Sequence, residues 1–139
     1  MKKWLVDTGP FVAYLDRTDS SHTDVAACLD GFSGQLMTTG AVVTEVMYFV
    51  SDAPDGPLSF AELLARARVQ IVDMLQPPRI AEAAALMKKY ADTPMDFADA
   101  TLVRAAEQLG IVEVLTLDRR GFSTYRMSKG RGFRLVLDN

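Results

Sequence analysis

Five short apolar runs are strung along this chain, and between them the hydrophobic period changes from that of a strand to that of a helix. The runs are residues 4–6, 35–38, 69–72 ("VQIV"), 113–117 ("EVLTL") and 133–137 ("FRLVL"). Most of them do not alternate apolar with polar residues, which is the pattern of strands covered on both faces. Helical patterns fill 21–32, 41–50, 59–67, 78–90 and 96–109, and a short helix is expected after a turn at Thr8-Gly9-Pro10. Ser59 and Glu62 have the spacing of a capping box, and Gly110 stands where a helix ending at Leu109 needs a stop. The stretches "DAPDGP" (52–57) and "QPP" (76–78) mark turns. Strands separated by helices pair in parallel through crossovers, not as hairpins. The expectation is a single α/β domain over residues 1–139, a parallel sheet flanked by helices.

Composition excludes several functions. A chain of 139 residues, 49% hydrophobic and 24% charged, suits one globular domain. No apolar run approaches the roughly 20 residues of a membrane span. The first seven residues lack the parts of a signal peptide. Cys28 is the only cysteine, so no internal disulfide framework exists and a cytoplasmic location is expected. His22 is the only histidine, which rules out a His/Cys zinc set and an ordinary Ser–His or Cys–His catalytic pair. Neither a GxxxxGK[ST] loop nor a GxGxxG loop is present. The net charge of −3 hides an asymmetry. Residues 119–139 hold six basic residues and one acid, a local +5, while residues 1–118 hold nine basic and seventeen acidic residues, a local −8. Such a basic tail either meets phosphates or simply solvates a surface segment.

The placement of the acids carries more information. In an open parallel sheet, ligands bind beyond the carboxyl ends of the strands. Asp7 closes the first run and Asp118 follows "VLTL". Helices begin at that same edge. Glu45 lies early in the helix after the second strand, within the apolar surroundings "AVVTEVMYFV", and Asp96 and Asp99 open the helix that leads to the fourth strand. Each acid has an ordinary alternative. Asp7 can cap a helix, Asp118 can sit in the turn "LDRRG", Asp96 and Asp99 can stabilise a helix start, and Glu45 can lie at the edge of an apolar stripe. Their coincidence at one rim favours a shared site. Clustered carboxylates repel one another unless a cation sits among them, and an all-oxygen set suits Mg²⁺ or Mn²⁺.

Four stretches together resemble one family. "WLVDTGPFVAYLD" with Asp7, "AVVTEVMYFV" with Glu45, "MDFADATLVRAAEQLG" with Asp99 and "VLTLDRRGF" with Asp118 are similar, in order and spacing, to the PIN-domain ribonucleases, and most of all to the VapC-type toxins of toxin–antitoxin pairs. The resemblance covers nearly the whole chain. It implies an α/β PIN fold, a Rossmann-like, mostly parallel sheet with helices on both faces, together with cleavage of RNA dependent on Mg²⁺ or Mn²⁺, a homodimer, and inhibition by a cognate antitoxin. It implies Asp7, Glu45, Asp99 and Asp118 as catalytic metal ligands, with Thr116 as a hydroxyl residue beside them. Asp96 is the alternative third acid, expected to cap its helix or act from an outer shell. Arg119 and Arg120 are expected to contact the RNA backbone, or else to lie in an exposed turn. Two rival readings differ in chemistry. A HAD-type phosphatase needs a second aspartate two residues after the strand-end acid, where this chain has Gly9. A non-cleaving RNA- or partner-binding module on the same fold would not need all four acids.

Overall fold

The computed structural model describes residues 1–138. Strand β1 (Lys2–Val6) ends on Leu5 and Val6, both fully buried. Helix α1 (Thr8–Leu15) begins at once, so Thr8, Gly9 and Pro10 form its first turn and not a separate bend. Proline is tolerated there because the first N–H groups of a helix have no intrahelical partner. Helix α2 (His22–Asp30), strand β2 (Gly34–Thr39) and helix α3 (Gly40–Val50) follow near their expected places. Helix α4 (Gly56–Arg66) starts earlier than its apolar pattern suggests. Pro57 in its first turn nucleates it, so Ser59 falls inside the helix and is not its cap.

The second half contains β3 (Gln70–Val72), α5 (Pro77–Lys89), α6 (Phe97–Leu109), β4 (Glu113–Leu115), α7 (Arg119–Thr124) and β5 (Arg134–Leu135). Gly110, at a φ of 69°, ends α6 as a left-handed residue. The last strand is shorter than the alternating run 133–137, because the chain tightens into a 3₁₀ turn at Val136–Asp138. Helix α7 has no apolar stripe long enough to announce it in the sequence.

All five strands are parallel, in the order β3-β2-β1-β4-β5. From β1 the chain steps outward to β2 and β3, then returns to place β4 and β5 on the other side. The direction of winding reverses between β1 and β4, which makes a topological switch point. Helix α1 packs on α2, α3 and α4, α5 packs on α6, and α3 also meets α6. Helix α6 lies close to the sheet because Ala98, Ala100, Ala105 and Ala106 are small and buried beside Leu102 and Val103. Burying a side chain the size of Leu102 stabilises the fold by about 1.5–3 kcal/mol. Cover on both faces does not extend to the edge strand β3, where Ile71 is half exposed and only Val72 is buried. Among the described residues, no helix is long and apolar enough to cross a membrane.

Candidate active site

Asp7 occupies the switch point. Its backbone N–H donates to Leu115 O at 3.0 Å, which carries the β1–β4 ladder one residue past the strand. One carboxylate oxygen accepts from the Thr8 N–H at 2.8 Å, so Asp7 caps α1. The other accepts from the Thr116 hydroxyl at 2.8 Å. Thr116 Oγ1 in turn accepts from the Asp118 N–H at 3.0 Å. Asp118 caps α7 by accepting from the Gly121 N–H at 2.9 Å. Residue 121 has to be glycine, since a Cβ there would collide with the Asp118 carboxylate and stand 2.9 Å from the Tyr125 hydroxyl. One chain of hydrogen bonds therefore fixes Asp7 and Asp118 relative to each other.

Two further elements bring acids to this edge. Asp96 caps α6, accepting from the Asp99 N–H at 2.8 Å, while Asp99 accepts from the Asp96 N–H at 3.2 Å. This is a reciprocal capping box built from two aspartates. Glu45 is half-buried on α3. Helices α3 and α6 are joined at this end by buried hydroxyls: Thr101 donates to Ala98 O at 2.7 Å and Thr39, the cap of α3, lies 2.8 Å from Thr101 Oγ1. Thr38 donates to Val6 O, just before Asp7. Among the described residues, the buried polar ones are Asp7 and the threonines Thr8, Thr38, Thr39, Thr101 and Thr116. They form the frame that holds the acids.

Asp7, Glu45, Asp96, Asp99 and Asp118 all line one open cavity of about 470 Å³, whose apolar walls include Val12, Phe49 and Leu117. Burial, more than the neighbouring Asp96 and Glu45, pushes Asp7 up to about 6 against the pull of its two hydrogen bonds. Burial, then the charges of Asp7 and Asp96, pushes Asp99 up to about 8. Glu45 is raised too, by burial and by Asp96, while Thr8 opposes the shift. No carboxylate of this cavity takes part in any ion pair found among the described residues. Nor are three or more of these side chains already drawn to metal-ligand spacing. Unneutralised carboxylates repel, and a cation is what draws such a set together. The donors are all oxygens, and the buried Thr8 hydroxyl on the cavity wall makes no full hydrogen bond of its own. That set fits a hard divalent cation.

A family model described as "PIN domain" matches residues 4–126. The chain belongs to the PIN-domain family. It is 31% identical over 134 residues to Ribonuclease VapC26 of Mycobacterium tuberculosis, covering 95% of this chain and 98% of that one. Among solved structures, its fold is similar to that of Mycobacterium tuberculosis VapC20, titled a sarcin–ricin loop cleaving toxin. The TM-score is 0.76 at 17% identity, over 85% of this chain and 91% of that one. It is also similar to a chain of a toxin–antitoxin complex from Klebsiella pneumoniae, with a TM-score of 0.64 at 20% identity, over 87% and 91% of the two chains. At these identities the structural likenesses speak to the fold.

In this PIN domain the four acids singled out in the sequence, and Asp96 with them, come to one cavity. Asp19 joins them on its wall. It precedes α2, and its carboxylate accepts from the Ser21 N–H at 2.8 Å, so in sequence it is indistinguishable from a local turn acid. The two arginines after Asp118 fare differently. Arg119 pairs with Asp138 at 2.7 Å on the surface, whereas Arg120 is exposed with no carboxylate partner among the described residues.

Proposed function

We propose that this protein is a divalent-metal-dependent endoribonuclease, the toxin of a type II toxin–antitoxin pair, working in the cytoplasm. One observation carries the reading: carboxylates from five separate segments line one cavity at the switch point, with no basic partner among the described residues. The substrate class is supported by the likeness to a ribonuclease over nearly the whole chain. Asp7, Glu45, Asp99 and Asp118 would hold Mg²⁺ or Mn²⁺, with Asp96 in an outer position. The cation supplies Lewis-acid activation of a water and charge stabilisation at the phosphate. The chain's own residues do the rest. Thr116 and the α1 N-terminus orient both oxygens of Asp7. A carboxylate oxygen left unliganded accepts the proton of the attacking water. The water oxygen bonds to phosphorus as the bond to the leaving oxygen breaks. Phe49, Val12 and Leu117 narrow the space around that centre.

Protein stripped of cations should leave a single-stranded RNA intact and cut it when Mn²⁺ or Mg²⁺ is restored. Full cleavage after exhaustive chelation would refute the reading. An antitoxin partner is supported by the likeness in fold to a chain of a toxin–antitoxin complex. Tyr48, Phe49 and Leu58 are exposed on α3 and α4, and we assign this apolar surface to protein partners: a second copy in a homodimer and a cognate antitoxin. Light scattering at micromolar concentration should give a dimer; a monomer there counts against that assembly.

A further inference from the structure

The basic tail of the sequence has no place in the acid cavity. Two of its cations are neutralised, Arg119 by Asp138 and Arg134 by Glu113. Arg126 and Lys129 have no carboxylate partner among the described residues. With Lys89, at the end of α5, they line an open groove of about 620 Å³ bounded by α5, α6, α7 and residues 127–130. All three side chains are exposed. The one carboxylate on the groove wall, Glu107, is already engaged by Arg104 and Ser128, so it does not neutralise them.

The Arg126 side chain and the backbone beneath Lys129 are held in place. Arg126 Nη1 donates to Ser123 O at 2.8 Å and to Tyr125 O at 2.9 Å, which leaves Nε and Nη2 for a ligand. Its backbone N–H donates to the Tyr90 hydroxyl at 2.8 Å. Lys129 sits at the tip of a tight loop closed by Met127 N–H to Arg131 O at 2.8 Å and Gly130 N–H to Met127 O at 3.1 Å. It has a φ of 65°, a left-handed conformation that is strained for a non-glycine residue. Glycine would adopt it freely. The loop thus presents a lysine where backbone geometry asks for glycine.

Groove and acid cavity are neighbours. Helix α7 runs from Asp118 on the cavity wall to Thr124 on the groove wall, about 9 Å at the helical rise. Without its divalent cation the cavity of unpaired carboxylates repels a polyanion, so in the metal-free protein, of net charge −3, affinity for RNA comes from cations beside that cavity. We propose that this groove holds the phosphate backbone of the single-stranded RNA flanking the bond cut in the acid cavity. The inference rests on the ribonuclease reading above and adds where the substrate strand runs. Arg126 offers part of its guanidinium fork to one phosphate, and Lys129 and Lys89 act as point charges on its neighbours. Lys129 lies beyond residue 126, where the family match ends.

The test measures binding and cleavage separately. Binding of a labelled single-stranded oligoribonucleotide is followed by fluorescence anisotropy across a salt series, in an Asp7→Asn background without divalent cations. Cleavage is followed with Asp7 intact. Arg126→Gln with Lys129→Gln should raise Kd at least about tenfold and reduce the log–log salt slope by about 1.4. The same pair should raise KM while kcat stays within about twofold. Lys129→Gly should keep or raise Tm and still weaken binding, which a merely structural loop would not do. Arg66→Gln, exposed on α4 and no part of the groove wall, should leave the slope unchanged. An unchanged slope and KM in the double variant would overturn the groove while leaving the nuclease standing. RNA binding that falls in the groove variants, by a wild-type protein that never cuts, would sustain the groove and sink the nuclease. Stronger displacement by polyglutamate than by unlabelled RNA would overturn the groove in favour of an acidic protein ligand.

Discussion

Helix α6 has carboxylates near each end, and the fold treats them in opposite ways. At the start, Asp96 and Asp99 bond to each other's backbone N–H groups and to no cation, and burial with neighbouring charge drives Asp99 up to about 8. Eight residues on, Glu107 also feels burial, yet donors from Ser128 and the Arg104 guanidinium outweigh it and hold its carboxyl below the usual range. The chain can therefore neutralise a carboxylate on this helix, and at the N-terminus it does not. The helix dipole and the caps at Asp7, Asp96 and Asp118 soften the repulsion there without removing it. The remaining positive charge has to come from something that binds.

The comparison breaks first on activity. Asp7→Asn and Asp99→Asn should each reduce RNA cleavage at saturating Mn²⁺ by more than about a hundredfold, the upper range for changes one shell further out. Their far-ultraviolet circular dichroism should match that of the wild type, because asparagine keeps the capping oxygen. A variant that cuts at the wild-type rate would remove that acid from the site.

It sharpens next on stability. An unfolded aspartate titrates near 3.8 and folded Asp7 near 6, so between those values the folded state binds the extra proton. Stability of the metal-free protein should then fall as pH rises through that window, with Asp99 extending the fall towards pH 8. For fully buried Asp7 the loss is about 3 kcal/mol at neutral pH. Mn²⁺ should raise Tm far more at pH 8 than at pH 5. Without metal at pH 8, Asp7→Asn should be more stable than wild type, while Glu107→Gln should be less stable by about 1–2 kcal/mol, having lost a charged partner. Urea unfolding measures both. The same sign in the two variants would dissolve the contrast between the helix ends.

Why the acids could be read from sequence, and their frame could not, follows from distance along the chain. A strand-end aspartate and a helix-start aspartate carry their location in the local period, so Asp7, Asp96, Asp99 and Asp118 could be placed at one edge once parallel strands were inferred. Strand order is not a local property, and it is the order β3-β2-β1-β4-β5 that puts Asp7 beside Thr116. Of the threonines, only Thr116 could be expected beside the acids, and that from the family resemblance; Thr38, Thr39 and Thr101 carry no local signal of their role. Their hydroxyl partners are remote: Thr39 and Thr101 are 62 residues apart, Thr116 and Asp7 are 109 apart. Helix α7 was equally hidden, because Asp118 capping and the burial of Gly121 and Phe122 sustain six residues that lack a helical stripe. The expected PIN topology is present; the early start of α4 and the shortened β5 were fixed by Pro57 and by the tightening at Val136.

The smallest effect separates Asp96 from Asp99. Both belong to one capping box, but Asp96 is exposed while Asp99 faces burial and the charge of Asp7. Asp96 also pushes up Asp7, Glu45 and Asp99 through its own charge. Asparagine at 96 keeps an oxygen for the Asp99 N–H, so α6 should start where it does now. It removes one negative charge from the cavity, and with it part of the upward pressure on three neighbours. The expected result is a cation titration whose midpoint rises about tenfold, with most of the rate recovered at saturation. The acid limb of the rate profile should move to lower pH, because the remaining carboxylates ionise more easily. An Asp96→Asn protein that stays dead at saturating Mn²⁺ while Asp99→Asn still cuts reverses the two roles. If both are dead, the pair holds the cation jointly, and the capping box itself is part of the metal site.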